Sequence, residues 1–199
     1  MQVNEERVRK TRQDLVAVTR MAYSRGLSSG VSGNPSARVP GQAELVLIKA
    51  TGKCFGEVEP EDFVLVDLDG NVVEGMGRPS KEVRFHCGIY KIRPEVGAVF
   101  HGHSAYTTAY VTAKGSMPMV TAASRALIRE AAVVDFAPAG SDELAGMVVD
   151  SFRDNDLKAC VLKTHGFVTV GETIQAAYYA GDVLEDNAKV MCIMDSLSK

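Results

Sequence analysis

Four histidines carry most of the chemistry that this 199-residue sequence can hold: His86, His101, His103 and His165. Two of them stand in Val96-Gly-Ala-Val-Phe-His-Gly-His-Ser104. Alternate residues of an extended chain point to the same side, so His101 and His103 project together from the end of an apolar strand. Two imidazoles so placed can chelate a borderline-soft cation such as Zn2+. The same H-x-H is equally compatible with two surface histidines at a strand end. His165, in Lys163-Thr-His-Gly166, again follows an apolar strand and again precedes glycine. Ends of sheet strands are where α/β proteins place sites. One carboxylate would complete a four-ligand shell, and the candidate is Glu82 in Gly77-Arg-Pro-Ser-Lys-Glu82. It stands in the first turn of a predicted helix, where the helix dipole favours negative charge; an ordinary capping-turn glutamate has the same signature. His86 follows four residues later on the same helix face. It is expected to pack inside as a hydrogen-bonded core histidine, because the two strand ends already supply three ligands.

Three short segments could hold an anion: Ser32-Gly33-Asn34, Thr51-Gly52-Lys53 and Pro79-Ser80-Lys81. Each has small residues that expose backbone N–H groups, plus a hydroxyl, amide or ammonium, and the third opens a helix. Each alone reads as a turn; together they would matter only by converging in space. There is no Walker A motif, no G-x-G-x-x-G and no G-x-S-x-G.

The elements that must position these residues follow from periodicity and turn signals. Helices are predicted over 4–25 (capped by Asn4), 80–92 (with Ser80 as N-cap), 104–113, 122–130, 141–153 and 173–197. Strands are predicted over 44–50, 63–67 and 72–74 as a hairpin, 96–100, 131–136, 159–163 and 167–170. The Gly-, Ser-, Asn- and Pro-rich stretch 29–41 reads as a loop. Strands and helices alternate without a strict βαβ rhythm, so a single α/β domain spanning 1–199 is expected, with a mixed sheet covered by helices.

Composition narrows the function classes. Lys and Arg total 22 against 25 Asp and Glu, a net charge of −3, so there is no basic excess for nucleic acid or an anionic membrane. No apolar run approaches the roughly 20 residues of a membrane span. The opening MQVNEERVRKTRQD is charged throughout, unlike a secretory leader, and a cytoplasmic location is expected. Cys54, Cys87, Cys160 and Cys192 form no C-x-x-C and are expected to be buried small hydrophobes.

The pieces together resemble the class II aldolase/adducin family, from about Asp14 to Lys189. The resemblance rests on Ser32-Gly-Asn34 with Ser36-x-Arg38, Thr51-Gly52, Arg78-Pro-Ser-x-Glu82-x-x-x-His86, His101-Gly-His103-Ser104 and Thr164-His-Gly166. It implies a three-layer α/β/α sandwich around a largely antiparallel sheet, commonly assembled as a homotetramer. It implies His101, His103 and His165 as Zn2+ ligands (Mn2+ or Co2+ being alternatives). Glu82 would be the acid/base and possible fourth ligand. Asn34, Thr51, Gly52 and Ser80 fall at phosphate-binding positions, with Lys81 beside them. The implied activity is a metal-dependent carbon–carbon lyase of the fuculose-phosphate aldolase type, acting on a small phosphorylated ketose through an ene-diolate. Two departures point to other branches. Pro79-Ser-Lys-Glu82 resembles the branch that decarboxylates 3-oxo-tetronate 4-phosphates. The stretch Met117–Arg125 lacks the tyrosine that the family's aldolases use as proton donor. A sugar-phosphate 4-epimerase is a further alternative, disfavoured by Glu rather than Asp at position 82. A non-catalytic scaffold of the adducin kind is disfavoured by the complete ligand set.

Overall fold

The computed structural model describes residues 3–198. The chain runs α1 (Glu5–Ser24), β1 (Asn34–Val39), β2 (Gln42–Lys49), β3 (Phe63–Asp67), β4 (Val72–Glu74), α2 (Val83–Ile92), β5 (Ala98–Gly102), α3 (Ala105–Lys114) and α4 (Ala122–Leu127). It continues through β6 (Ala131–Val134), α5 (Asp142–Ser151), β7 (Ala159–Leu162), β8 (Gly166–Gly171) and α6 (Ile174–Leu197). The eight strands form one sheet in the order β4-β3-β2-β1-β5-β8-β7-β6. Every neighbouring pair is antiparallel except β6 with β7.

Alternation along the strands separates two cores. Leu45, Leu47, Phe63, Leu65, Phe100, Val161 and Phe167 face the layer that contains α1, α3 and α6. Val46, Ile48, Val64, Val66, Val99, Cys160 and Val168 face α2 and α5. The expected α/β/α layering is therefore present. α1 begins at Asn4, whose side chain accepts the Arg7 N–H at 3.1 Å, and its buried stripe includes Val8, Leu15, Val18 and Ala22. No helix of the described residues is long and apolar enough to cross a membrane.

Three expectations need correction. The stretch 29–41 is not wholly loop: its second half is β1, in the middle of the sheet between β2 and β5. Its side towards α2 is polar (Asn34, Ser36, Arg38), so it lacks the apolar alternation that marks a strand. Pro35 sits ahead of the β2 ladder, which starts at Ser36. Second, α2 starts at Val83 with Glu82 as its N-cap residue, not at Ser80. Ser80 instead accepts the Glu82 N–H on its hydroxyl at 3.2 Å. Third, only Cys87 and Cys160 are fully buried; Cys54 and Cys192 are half-buried. In addition, α4 stops at Leu127 rather than 130, and Arg129 turns the chain with a positive φ of 71°.

One close approach sets up the site. A Cβ on Gly166 would lie 2.2 Å from the Gly102 carbonyl oxygen, so only glycine lets the start of β8 close against the end of β5. The Gly166→Ala substitution should cost about 1–3 kcal/mol as an overpacked contact. A urea denaturation midpoint that falls at unchanged m-value checks it.

Candidate active site

His101 is the fourth residue of β5, fully buried, with its ring on the α2 side of the sheet. Its Nδ1 lies 2.8 Å from the Phe167 carbonyl oxygen, so Nδ1 carries the proton and Nε2 presents a lone pair. His103 follows two residues later and brings its Nε2 to 2.9 Å from His101 Nε2. His165 stands in the turn between β7 and β8. There Thr164 takes φ 60°, and its N–H is held by the Thr112 hydroxyl at 3.0 Å. One ligand atom from each of the three histidines lies within 4.8 Å of the others, close enough to share a metal ion. Burial pushes His103 down to about 3 and lowers His101 as well, so both rings are neutral, the form that ligates metal.

Glu82 meets this cluster from α2. Its Oε2 lies 3.3 Å from His101 Nε2 and its Oε1 3.3 Å from His165 Nε2. Burial alone would raise its pKa, but His101, His165 and the Asn34 amide outweigh burial and hold the carboxyl well below the usual range. Oε1 is buried and receives no well-formed hydrogen bond. Ring nitrogens of His101 and His165 and an ionised carboxylate thus converge on one small volume. Electron-pair donors converging in this way suit a cation, and the nitrogen-rich set suits Zn2+ among divalent metals.

A buried chain of hydrogen bonds orients the carboxylate. Asn34 Nδ2 donates to Glu82 Oε2 at 2.8 Å, which turns Asn34 Oδ1 towards His86 Nε2 at 2.6 Å. His86 therefore carries its proton on Nε2, and Nδ1 accepts from the Ser36 hydroxyl at 2.7 Å. Tyr90 in turn donates to Ser36 at 2.8 Å. The expected core role of His86 is the one found. Desolvation in its fully buried position pushes His86 down to about 3, so it stays neutral.

Beside the histidines opens a cleft of about 190 Å³, whose lining includes Asn34, Lys49, Thr51, Gly52, Ser80 and Lys81. The three anion candidates do converge there. Their N–H groups are not all free, because Thr51 donates to the Arg78 carbonyl at 2.9 Å and Ser80 to the Lys49 carbonyl at 3.1 Å. Among the described residues the N–H groups of Gly52 and Lys81 have no such partner, and Thr51 and Ser80 line the same space. Asn34 is shared between this cleft and the Glu82 carboxylate. Lys49 was not among the sequence candidates. Its signal is a charged residue at an inward position of β2, in register with Leu45 and Leu47.

The model of the class II aldolase and adducin N-terminal domain matches residues 13–192. The chain belongs to that family. It is 34% identical over 184 residues to an L-fuculose phosphate aldolase of Methanococcus maripaludis, covering 92% of this chain and 97% of the relative. It is also 30% identical over 188 residues to a 3-oxo-tetronate 4-phosphate decarboxylase of Escherichia coli, covering 92% and 86%. Among solved structures, an L-fuculose 1-phosphate aldolase superposes with a TM-score of 0.87 at 25% identity, over 96% of this chain and 88% of the other. Aldolases and decarboxylases of this kind are lyases, and this chain is a lyase.

The neutral His86 fixes a pH dependence. Its folded pKa of about 3 lies below the roughly 6.5 of an unfolded histidine, so below that value the unfolded chain binds a proton that the folded one refuses. Its contribution is complete above pH ~6.5 and is lost as pH falls towards 3, by up to about 1.4 kcal/mol per pH unit. Urea denaturation of metal-free protein from pH 7 to about 5 should show this loss, and His86→Gln should reduce its slope, with the lowered His101 and His103 contributing the rest.

Proposed function

We propose that the protein is a metal-dependent class II lyase that breaks a carbon–carbon bond of a small phosphorylated ketose. The observation that carries this reading is the convergence of His101, His103, His165 and Glu82 at the edge of a cleft shared with the Thr51–Gly52 and Ser80–Lys81 turns. His101, His103 and His165 would hold the metal, with Glu82 as a possible fourth ligand. The metal is Zn2+ in preference to Mn2+ or Co2+ and supplies positive charge where the substrate's oxygens become negative. Glu82, oriented by Asn34, moves the proton at the reacting carbon. The hydroxyls of Thr51 and Ser80, the N–H groups of Gly52 and Lys81, and the Lys81 ammonium bind the phosphate and so fix the register of the reacting carbons. The setting we propose is a cytoplasmic homotetramer, whose contacts would cover exposed apolar side chains such as Phe136 and Leu197.

Decarboxylation of a phosphorylated 3-oxo acid is the second reading. Lys81 is exposed and lines the cleft, where a substrate carboxylate could meet it, and Met117–Arg125 offers no tyrosine as aldol proton donor. Arg125 donates its Nε–H to the Met119 carbonyl at 2.9 Å.

Proton NMR of metal-loaded protein with dihydroxyacetone phosphate in D2O tests the choice. Stereospecific loss of one hydroxymethyl proton is expected. No exchange with metal bound would move the assignment to the decarboxylase and to a CO2-release assay. The His103→Ala variant should lose bound metal while remaining folded; full metal occupancy by elemental analysis would overturn the ligand assignment. Lys81→Ser should weaken turnover of acid substrates more than neutral ones, and equal effects would remove the support for decarboxylation.

A further inference from the structure

The ring of His101 is held by the Phe167 carbonyl, whereas the ring of His165 makes no hydrogen bond among the described residues beyond its 3.3 Å approach to Glu82. The place of His165 in the cluster is therefore set by the backbone of the turn that carries it. That turn runs from Leu162 to His165, whose N–H returns to the Leu162 carbonyl at 3.1 Å. Thr164, just ahead of His165, takes φ 60°. Such a turn favours glycine or asparagine at this point, because a β-branched side chain crowds its own backbone at positive φ. A residue strained in this way persists only where its surroundings impose the conformation. The group that meets it is the Thr112 hydroxyl of α3, which accepts the Thr164 N–H at 3.0 Å. α3 is itself anchored. Glu185 of α6 accepts the Tyr106 and Thr107 N–H groups at 3.0 and 2.8 Å and the Thr107 hydroxyl at 2.7 Å. α3 also begins two residues after His103, so one fixed helix ties together the segments that carry two of the three clustered histidines.

We infer that Thr112 is a positioning residue for the metal site, whose hydroxyl holds Thr164 in the left-handed conformation and so keeps His165 in place beside His101 and His103. The inference rests on the assignment of His165 as a metal ligand and adds the outer group that steadies it. A glycine at 164 would take this φ freely but would leave the turn loose. A clamped threonine is stiff and has few other conformations open to it. Without the clamp, the strained conformation becomes one of several. Metal affinity then falls with the fraction of molecules in which His165 stands in place. Both threonines are exposed and line the open groove beside His103 and His165, so the bond can be removed without opening a cavity in either core.

The probe is Co2+ added to metal-free protein, with affinity read by competition with a chelator and site geometry by the visible absorption bands. Thr112→Val should bind Co2+ roughly tenfold more weakly and with altered bands. Thr112→Ser, which keeps the hydroxyl, should match the wild type. In a Thr164→Gly background the strain is gone, so Thr112→Val should there weaken binding far less. Equal affinity in wild type and Thr112→Val overturns the role of Thr112 and leaves the ligand assignment standing. An undiminished effect in the Thr164→Gly background overturns the clamp on a strained turn. No Co2+ binding by the wild type overturns both the clamp's role and the ligand assignment. Hydrogen exchange of the Thr164 amide in metal-free protein is a second readout that needs no metal. Exchange should be slow in wild type and Thr112→Ser and about tenfold faster in Thr112→Val. Fast exchange in the wild type would exclude the clamp.

Discussion

The pairing of β1 with β5, which sets Asn34 opposite His101, is the constraint on which the rest of the site depends. It places the residue that orients Glu82 beside the residue that faces Glu82. Because side chains repeat every two residues, the same register lines up Asn34, Ser36 and Arg38 against α2. All three bond to that helix or its neighbours: Asn34 to Glu82 and His86, Ser36 to His86 and Tyr90, and Arg38 to the Tyr90 carbonyl and over its ring at 4.7 Å. A slip of one residue would send this polar seam into the opposite core and strand the carboxylate.

The seam also explains what could be read from the sequence and what could not. His101 and His103 were legible as a pair because alternate residues at the end of an extended run share a side, and His165 because a second apolar run ends in the same His-Gly; that the three meet in one cluster and do not stand apart on the surface came from the structure. β1 was not legible. A central strand usually announces itself by apolar alternation, and this one alternates polar residues with Pro35, Ala37 and Val39, a pattern that local chemistry assigns to a loop. The N-cap of α2 shifted for a related reason. Ser80 has the right side chain for a cap, but its own N–H is drawn back to the Lys49 carbonyl, so the helix begins two residues later. Lys49 escaped notice because a lysine near a strand end normally reaches solvent; only the packed loop with Phe55 shows that it does not.

Electrostatically, the site joins groups that would each be costly alone. His86 and His103 are buried deeply enough to stay neutral far into acid, and Glu82 stays ionised among them. Neutral nitrogens and a charged oxygen at such separations leave a deficit of positive charge on the histidine side of the cleft. Lys49, buried with no carboxylate pairing among the described residues, adds the opposite deficit to the lining of the same cleft.

Glu82 occupies the N-cap of α2 without capping it, since both carboxylate oxygens turn to Asn34 and the histidines. A serine or asparagine there could bond the first free N–H groups of the helix, a gain of about 1 kcal/mol. The position therefore sets robustness against turnover. Under the function proposed above, substitutions that make the helix sturdier at residue 82 would remove the acid/base, so a search for heat-tolerant variants would keep returning to this position with inactive proteins. The fold is less stable here than its backbone permits, and that margin is the cost of turning the carboxylate towards the histidines instead of the helix.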